Sequence, residues 1–322
     1  MAELKLTLAC QGYDHTRALL DGTARVQGVD LSCISISPPS QIFLRMLRNE
    51  EFDVAEMSLS SYLIALGRGD RRFVGLPIFP SRLFRHSFVW VNAKAGIERP
   101  EDLREKRVGI ADYSMTALLF IRGFLEHQYG VAPKEIYWFR RRSEHLSIET
   151  PPGIRIESIG KDETLDGLLE EGRLDAVALT SPPRAFRQGL PLVRRLFPDA
   201  RTVEAAYYRE TGIFPIMHMV VMVRALYKEH RWLAAALCDA FQKAKELAFE
   251  RHQENLYPLP WLHLDSEFAR GVMGRDIYAY GVKPSLPTLE AATLYSYEQG
   301  LTQRRIEVGE LLAPETLELC GD

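Results

Sequence analysis

Lysine-rich tracts, basic tails and long apolar runs are all missing from this 322-residue chain. Its 40 basic and 43 acidic side chains leave a formal net charge of -3. It therefore lacks the concentrated positive surface that a phosphate backbone demands, and nucleic acid is not an expected partner. No apolar stretch approaches the ~20 residues that cross a bilayer, so a membrane is not expected either. Cysteine is scarce: Cys10, Cys33, Cys238 and Cys320 stand far apart with no CxxC pair. That spacing argues against a disulfide framework or a zinc site and suits reduced thiols in a cytoplasm. The opening MAELKLTLAC has no basic n-region, apolar h-region or small-residue cleavage site, so no export signal and a cytoplasmic location are expected. GxGxxG, GxxxxGK[ST], GxSxG and HExxH are absent as well, which leaves dinucleotide, P-loop, α/β-hydrolase and zincin chemistry unsupported.

What is present is a globular chain, 46% hydrophobic, of a length that suits two cores better than one. Lys5 to Cys10 alternates as a strand, Tyr13 to Leu20 has helical spacing, Leu31 to Ser37 is β-rich and Ser40 to Arg48 is helical again, the βαβα opening of a parallel sheet. A strand at Asp53 to Met57, a helix at Ser60 to Leu66 and a strand at Phe73 to Phe79 follow. After the polar connection GIERPEDL, RVGIAD starts a second strand-helix series: a helix at Ser114 to His127, a strand at Ile136 to Phe139, a loop through ETPPGIRI, a helix at Thr164 to Glu171 and a strand at Asp175 to Leu179. GIFPIMHMVVMV returns as a strand and a long amphipathic helix, Glu229 to Arg251, closes on it. This reads as two α/β lobes joined by two hinge crossings around an interlobe cleft, with a discontinuous first lobe, residues 1–92 plus 213–322, and a second, residues 93–212.

One internal echo supports matched lobes. NEEFDVAEMSLS and EEGRLDAVALTSPP each run from an acidic helix end, through an Asp that opens a short strand, to terminal hydroxyls. Ligands of open parallel sheets lie at the C-terminal strand ends, which makes Ser58, Ser60, Thr180 and Ser181 candidates for substrate contact; plain helix capping explains each singly about as well.

The stretch FPSRLFRHSF sets Arg82, Arg85 and His86 among aromatic residues. Guanidiniums there point to an anion, since they grip carboxylates through paired hydrogen bonds. Arg82 is read as the carboxylate ligand and Arg85, on the opposite face of an extended backbone, as a structural ion-pair former. His86 and His218 are the histidines embedded in apolar sequence at the expected crossings, and a partly desolvated imidazole titrates near neutrality; the blander reading of each is a satisfied core residue. Glu56 stands inside a buried strand, where it needs either an arginine partner or a proton-transfer task. Ser114 and Thr116, where a strand meets a helix, mark an anion site or ordinary caps. Tyr13, Asp14 and His15 could meet substrate hydroxyls, although capping accounts for Asp14. Arg140 to Arg142, beside Glu144 and His145, read as a solvated patch outside the site.

FDVAEMSLSSYL, FPSRLFRHS, YSMTALLFIRGFLEHQYGV, TGIFPIMH, YAYGV and YEQGL, in that order from about Leu4 to Leu312, resemble the 4,5-dihydroxyphthalate decarboxylase family. The resemblance implies the type 2 periplasmic-binding-protein-like fold and non-oxidative loss of one carboxyl from a dihydroxylated aromatic diacid, giving protocatechuate and carbon dioxide. A ring hydroxyl pushes electron density into the ring, His218 or His86 protonates the carbon that bears the leaving carboxylate, and Arg82 with the helix start near Thr116 fixes the carboxylates. The leaving group is expected toward Phe214 and Phe88, where desolvation favours a neutral gas. No flavin, nicotinamide or pyridoxal phosphate is called for; a divalent metal is compatible but has no ligand cluster to recommend it. A small aromatic carboxylate is the expected partner, and the apolar C-terminal helices permit a homo-oligomer. Three competing readings remain open: a solute-binding protein for a small carboxylate, another cytoplasmic lyase on this fold, similar to those of menaquinone biosynthesis, and an effector-binding regulatory domain, which the lack of a basic recognition helix disfavours.

Overall fold

The computed structural model describes residues 3–144, 146–254 and 258–319; His145, Cys320 and the extreme ends of the expected first lobe lie outside them. Among the described residues eleven strands run in the order β1 Leu4–Cys10, β2 Val29–Ser35, β3 Val54–Ser58, β4 Phe73–Arg82, β5 Val89–Asn92 and β6 Arg107–Ile110, followed by β7 Tyr137–Arg140, β8 Arg155–Ser158, β9 Ala176–Ala178, β10 Val193–Arg195 and β11 Ile216–Val223. They form two sheets, in the orders β2-β1-β3-β11-β4 and β10-β5-β9-β6-β7-β8.

The chain separates into two compact units. The first comprises residues up to Arg82, Thr211–Glu290 and from Ile306 on; the second comprises Leu83–Glu210 and Ala291–Arg305. Two boundaries differ from the sequence reading. The first unit stops at Arg82 rather than at residue 92, because β5 pairs with β9 and β10 in the second sheet. Residues 291–305 join the second unit, where the Tyr295 ring packs on Phe120 and Gln299 Oε1 accepts from Arg122 Nε at 2.7 Å. The chain thus passes between units after Arg82, Glu210, Glu290 and Arg305, not twice. A further difference is β8: ETPPGIRI is not all loop, since Arg155 opens a strand beside β7.

In the first unit β1, β2 and β3 are parallel and β11 runs antiparallel between β3 and β4. All five residues of β3 are buried, as expected for a strand covered on both faces. One cover is the helix Ser40–Asn49, which buries Ile42, Phe43, Met46 and Leu47, one stripe at helical spacing. In the second unit β6, β7, β8 and β9 are parallel, with a core that includes Trp90, Leu165, Leu169, Leu174 and Val177. The echo has a structural counterpart. Asp53 Oδ2 accepts the Thr7 amide on β1 at 2.8 Å, and Asp175 Oδ2 accepts the Arg107 amide on β6 at 2.8 Å. Each Asp pins the N-terminal edge of its strand to a parallel neighbour, so the hydroxyls that end each echo lie at the opposite, C-terminal edge.

Candidate functional site

In the antiparallel ladder between β3 and β11, Val220 pairs with Glu56 and His218 with Ser58. Glu56 and His218 are therefore diagonal neighbours on one sheet face, a separation long side chains can bridge. They do: His218 Nδ1 lies 2.6 Å from Glu56 Oε1. The same oxygen accepts the Tyr13 hydroxyl at 2.6 Å, and Tyr13 Oη is 3.3 Å from His218 Nδ1. Glu56 Oε2 accepts the Gln11 amide at 2.8 Å and the Cys10 thiol at 3.5 Å. The sequence reading offered an arginine or a proton task for Glu56; its partner is a histidine.

Burial alone would raise the Glu56 carboxyl, but the charge of His218 and the bonds from His218, Gln11 and Tyr13 outweigh it and hold the group below the ordinary range. It is thus a carboxylate with both oxygens engaged. Burial, reinforced by that negative charge, pushes the Tyr13 phenol and the Cys10 thiol far up, so both stay protonated donors. With Glu56 as acceptor the Nδ1 proton of His218 is fixed, and Nε2 is the nitrogen left to exchange a proton. Glu56 is 0% exposed, while the His218 side chain keeps 17% exposure; the carboxylate is sealed and the imidazole reaches outward. Phe43 holds the ring edge-on, with centroids 4.8 Å apart.

Beside this cluster, His15 Nε2–H donates to Pro80 O at 3.0 Å and its ring lies between those of Tyr13 and Tyr278. Burial lowers its pKa to about 4, so it is neutral near pH 7. Tyr278 Oη donates to Pro80 O and accepts the Arg82 amide at 2.7 Å. The Arg82 guanidinium, read from sequence as the carboxylate ligand, donates to Ala279 O, Ser285 Oγ and Phe214 O and stacks over the Phe214 ring. It ties the end of β4 to the segment 278–285.

The structure separates the two candidate histidines. His86 belongs to the second unit, is 1% exposed and stacks on Phe124 with centroids 3.9 Å apart, with Phe197 and Tyr207 edge-on. Burial holds it near pKa 4, so it is a neutral ring packed among aromatics, as in the blander reading of a core residue. Arg85, also in the second unit, lies over the Phe88 ring; burial pushes it down to about 10 against the opposing charge of Glu204. Phe214 and Phe88, expected together, fall in different units. Ser58 caps the helix Leu59–Gly67 by accepting the Ser61 amide, and Ser60 is buried behind it. The Asp14 carboxylate faces His252 at 2.9 Å and Arg251 at 3.4 Å.

On the second unit, Ser114 and Thr116 are buried at the start of the helix Thr116–Tyr129, and Thr180 and Ser181 are exposed just past β9. All four lie at the C-terminal edge of the parallel strands. The N-cap residue of the helix Thr116–Tyr129 is Met115, which gives no side-chain cap; just ahead of it the Glu144 carboxylate accepts the amides of Tyr113 and Ser114, so the patch read as solvated is partly structural. Residues the sequence reading leaves unassigned at the first site are Cys10 and Tyr278; the latter lies in YAYGV, which enters that reading only through its resemblance. Among the described residues, one group with metal-type ligands comes together, Glu126, His127 and Glu298, at the other end of the helix from Thr116, and His127 Nε2 is already paired with Glu298 at 2.7 Å.

No protein-family model matches the chain. It is 35% identical over 327 residues to the 4,5-dihydroxyphthalate decarboxylase of Comamonas testosteroni, covering 99% of each chain. It is 35% identical over 215 residues to the 4,5-dihydroxyphthalate decarboxylase of Pseudomonas putida, covering 65% of this chain and 83% of that one. Among solved structures it is similar to the periplasmic aliphatic sulphonate binding protein SsuA from Escherichia coli, at 14% identity and a TM-score of 0.59 over 98% and 99% of the two chains. It is similar too to the alkanesulfonate-binding protein SsuA from Xanthomonas axonopodis pv. citri bound to MOPS, at 13% identity and a TM-score of 0.56 over 97% and 98%. Identity this low speaks for the fold alone, which is that of periplasmic solute-binding proteins.

Proposed function

Since the chain belongs to the 4,5-dihydroxyphthalate decarboxylase family, and is on that ground a carboxy-lyase, we propose that it removes one carboxyl from a dihydroxylated aromatic dicarboxylate, 4,5-dihydroxyphthalate to protocatechuate and carbon dioxide, with His218 as the proton donor. The observation that carries this reading is the buried Glu56 carboxylate bonded to His218 Nδ1 at 2.6 Å. A ring hydroxyl pushes electron density toward the carbon bearing the leaving carboxylate. The His218 imidazolium passes its Nε2 proton to that carbon. The carbon–carbon bond then breaks, its electron pair restores the aromatic ring, and carbon dioxide leaves; neutral His218 recovers a proton from solvent. One proton is consumed and one carbon dioxide released, so the step balances.

In this reading Glu56 and Tyr13 are positioning residues. Glu56 fixes the tautomer and stabilises the imidazolium, and Tyr13 holds the shared oxygen. A positioned acid of this kind contributes about a hundred- to ten-thousandfold in rate. His86 has no part in proton transfer, and Arg82 serves as a strut. A cytoplasmic setting is supported by the free thiols of Cys10, Cys33 and Cys238.

The test is to incubate the purified protein with 4,5-dihydroxyphthalate and follow the ultraviolet spectrum with released carbon dioxide. Stoichiometric protocatechuate and gas are expected. His218→Gln should lower kcat by about a hundredfold or more with little change in KM. Absence of turnover by the natural protein would overturn the substrate assignment, and a His218→Gln variant with full kcat would overturn the proton donor.

A further inference from the structure

Glu144 stands in the irregular segment after β7, yet its side chain is 3% exposed. The carboxylate is seated on two successive backbone amides at the head of the helix Thr116–Tyr129: Oε1 accepts from Tyr113 N and Oε2 from Ser114 N, both at 2.8 Å. Consecutive amides aimed at one point, ahead of a helix whose dipole favours negative charge, form an anion-binding concavity. The segment is strapped across the C-terminal end of β6, because Arg141 N and Arg142 N donate to Ala111 O and Arg142 pairs with Asp112 at 2.8 Å. Ligands of parallel sheets sit at such an edge.

A second observation is a buried cation packed against the same residue, Tyr113. Arg122 is 0% exposed. Its Nε is bonded to Gln299, while Nη1 and Nη2 have no hydrogen-bond partner among the described residues. Its guanidinium stacks 3.7 Å over the ring of Tyr113, the residue whose amide holds Glu144 Oε1, and the carboxylates whose charge it feels are Glu144 and Asp112. A ring face offsets only part of what burying a guanidinium costs. The remainder calls for negative charge nearby, which Glu144 supplies together with Asp112.

We propose that the amide pair of Tyr113 and Ser114 is a carboxylate-binding subsite of the second unit, and that Glu144 is an internal stand-in which an aromatic carboxylate must displace. The inference rests on the reading of the substrate as an aromatic dicarboxylate. The strap is thus an autoinhibitory contact. It keeps the Arg122 charge compensated when no ligand is bound, and it sets a threshold that only an anion of carboxylate geometry overcomes. Displacement exchanges one carboxylate for another on the same two amides, so the concavity is never left without an anion. A ligand that binds only the displaced state has its apparent affinity reduced by the fraction of molecules in that state.

The probe is phthalate, which carries both carboxylates but lacks the ring hydroxyls that drive decarboxylation. Titrated by calorimetry, Glu144→Ala should bind phthalate about tenfold more tightly than the natural protein, the release expected if Glu144 holds the amides in about nine molecules of ten, and KM for the dihydroxylated diacid should fall in parallel. A purely structural capping role predicts unchanged or weaker binding with a lower Tm, and that outcome overturns the proposal. As a check that does not depend on the variant folding, phthalate added to the natural full-length protein should shift the Tyr113 and Ser114 amide resonances; shifts confined to other residues overturn it as well. Because phthalate binding is read without turnover, failure of the decarboxylation assay and failure of this subsite give separate results.

Discussion

Glu56 is costly at the position it occupies: a carboxylate in a fully buried strand, held ionised by four donors rather than by an arginine. Removing its charge while keeping its shape should therefore separate positioning from packing. Glu56→Gln turns an acceptor at Oε1 into an amide that cannot stabilise the His218 imidazolium and places a second donor against Tyr13 or Gln11. We expect kcat to fall by about a hundredfold, within the range for a mispositioned acid, and the alkaline limb of the kcat–pH profile, where the donor loses its proton, to move to lower pH. A variant that loses Tm but keeps both kcat and its pH profile would show Glu56 to be a packing residue only. The residue scale was also the hardest to read in the sequence. DVAEMS and GIFPIMHM each contain one polar residue in an apolar strand, but nothing in either stretch says that the two strands pair, or in which register. One residue of slip would put Glu56 and His218 on opposite faces.

At the scale of elements, Gly123 in the helix Thr116–Tyr129 shows how the segment 291–305 is held in the second unit. A Cβ built there would meet the Tyr295 ring at 2.3 Å, against fully buried packing on both sides. In an isolated helix alanine is favoured over glycine by about 1 kcal/mol. Here overpacking, typically about 1–3 kcal/mol, should win. Gly123→Ala is thus expected to lower the denaturation midpoint in urea, with unchanged slope; a raised midpoint would mean that Tyr295 gives way freely. Most elements were legible in the sequence, because their signals are local: the alternation of Lys5 to Cys10, the stripe of Ser40 to Asn49, the acid-strand-hydroxyl echo that proves to pin both sheets. β8 was not, since IRIES carries alternation only over four residues and follows two prolines. The fate of residues 291–305 was not legible either, because an amphipathic helix advertises a buried face without saying which core receives it.

For the molecule as a whole, two histidines in different units are buried in neutral form. Burial lowers His15 and His86 from 6.5 to about 4. For such groups the unfolded chain takes up protons that the folded chain refuses between those values, so stability is flat above about pH 6.5 and declines as pH falls toward about 4. Glu56, depressed rather than raised, adds stability that is likewise lost as acid reaches its folded value. We predict that urea midpoints fall steadily from pH 6.5 to 4, with a slope near two protons, and that His86→Phe, which keeps the stack on Phe124, removes about one of them. A midpoint independent of pH over that range would contradict the burial of both rings.

The sequence by itself determined the fold class and the family and narrowed the proton donor to two candidate histidines, His86 and His218, since these follow from periodicity, from the order of motifs along the chain and from residue type. It also named His218, Glu56 and Tyr13 without joining them. Only the tertiary structure decided that these three share one oxygen, that Arg82 is engaged by carbonyls, that His86 is an aromatic core residue and that Glu144 lies on the amides reserved in the sequence reading for a ligand. Each of these depends on which strands pair and in what register, and a side chain's charge state and accessibility come from the neighbours that pairing supplies, not from its own position in the chain.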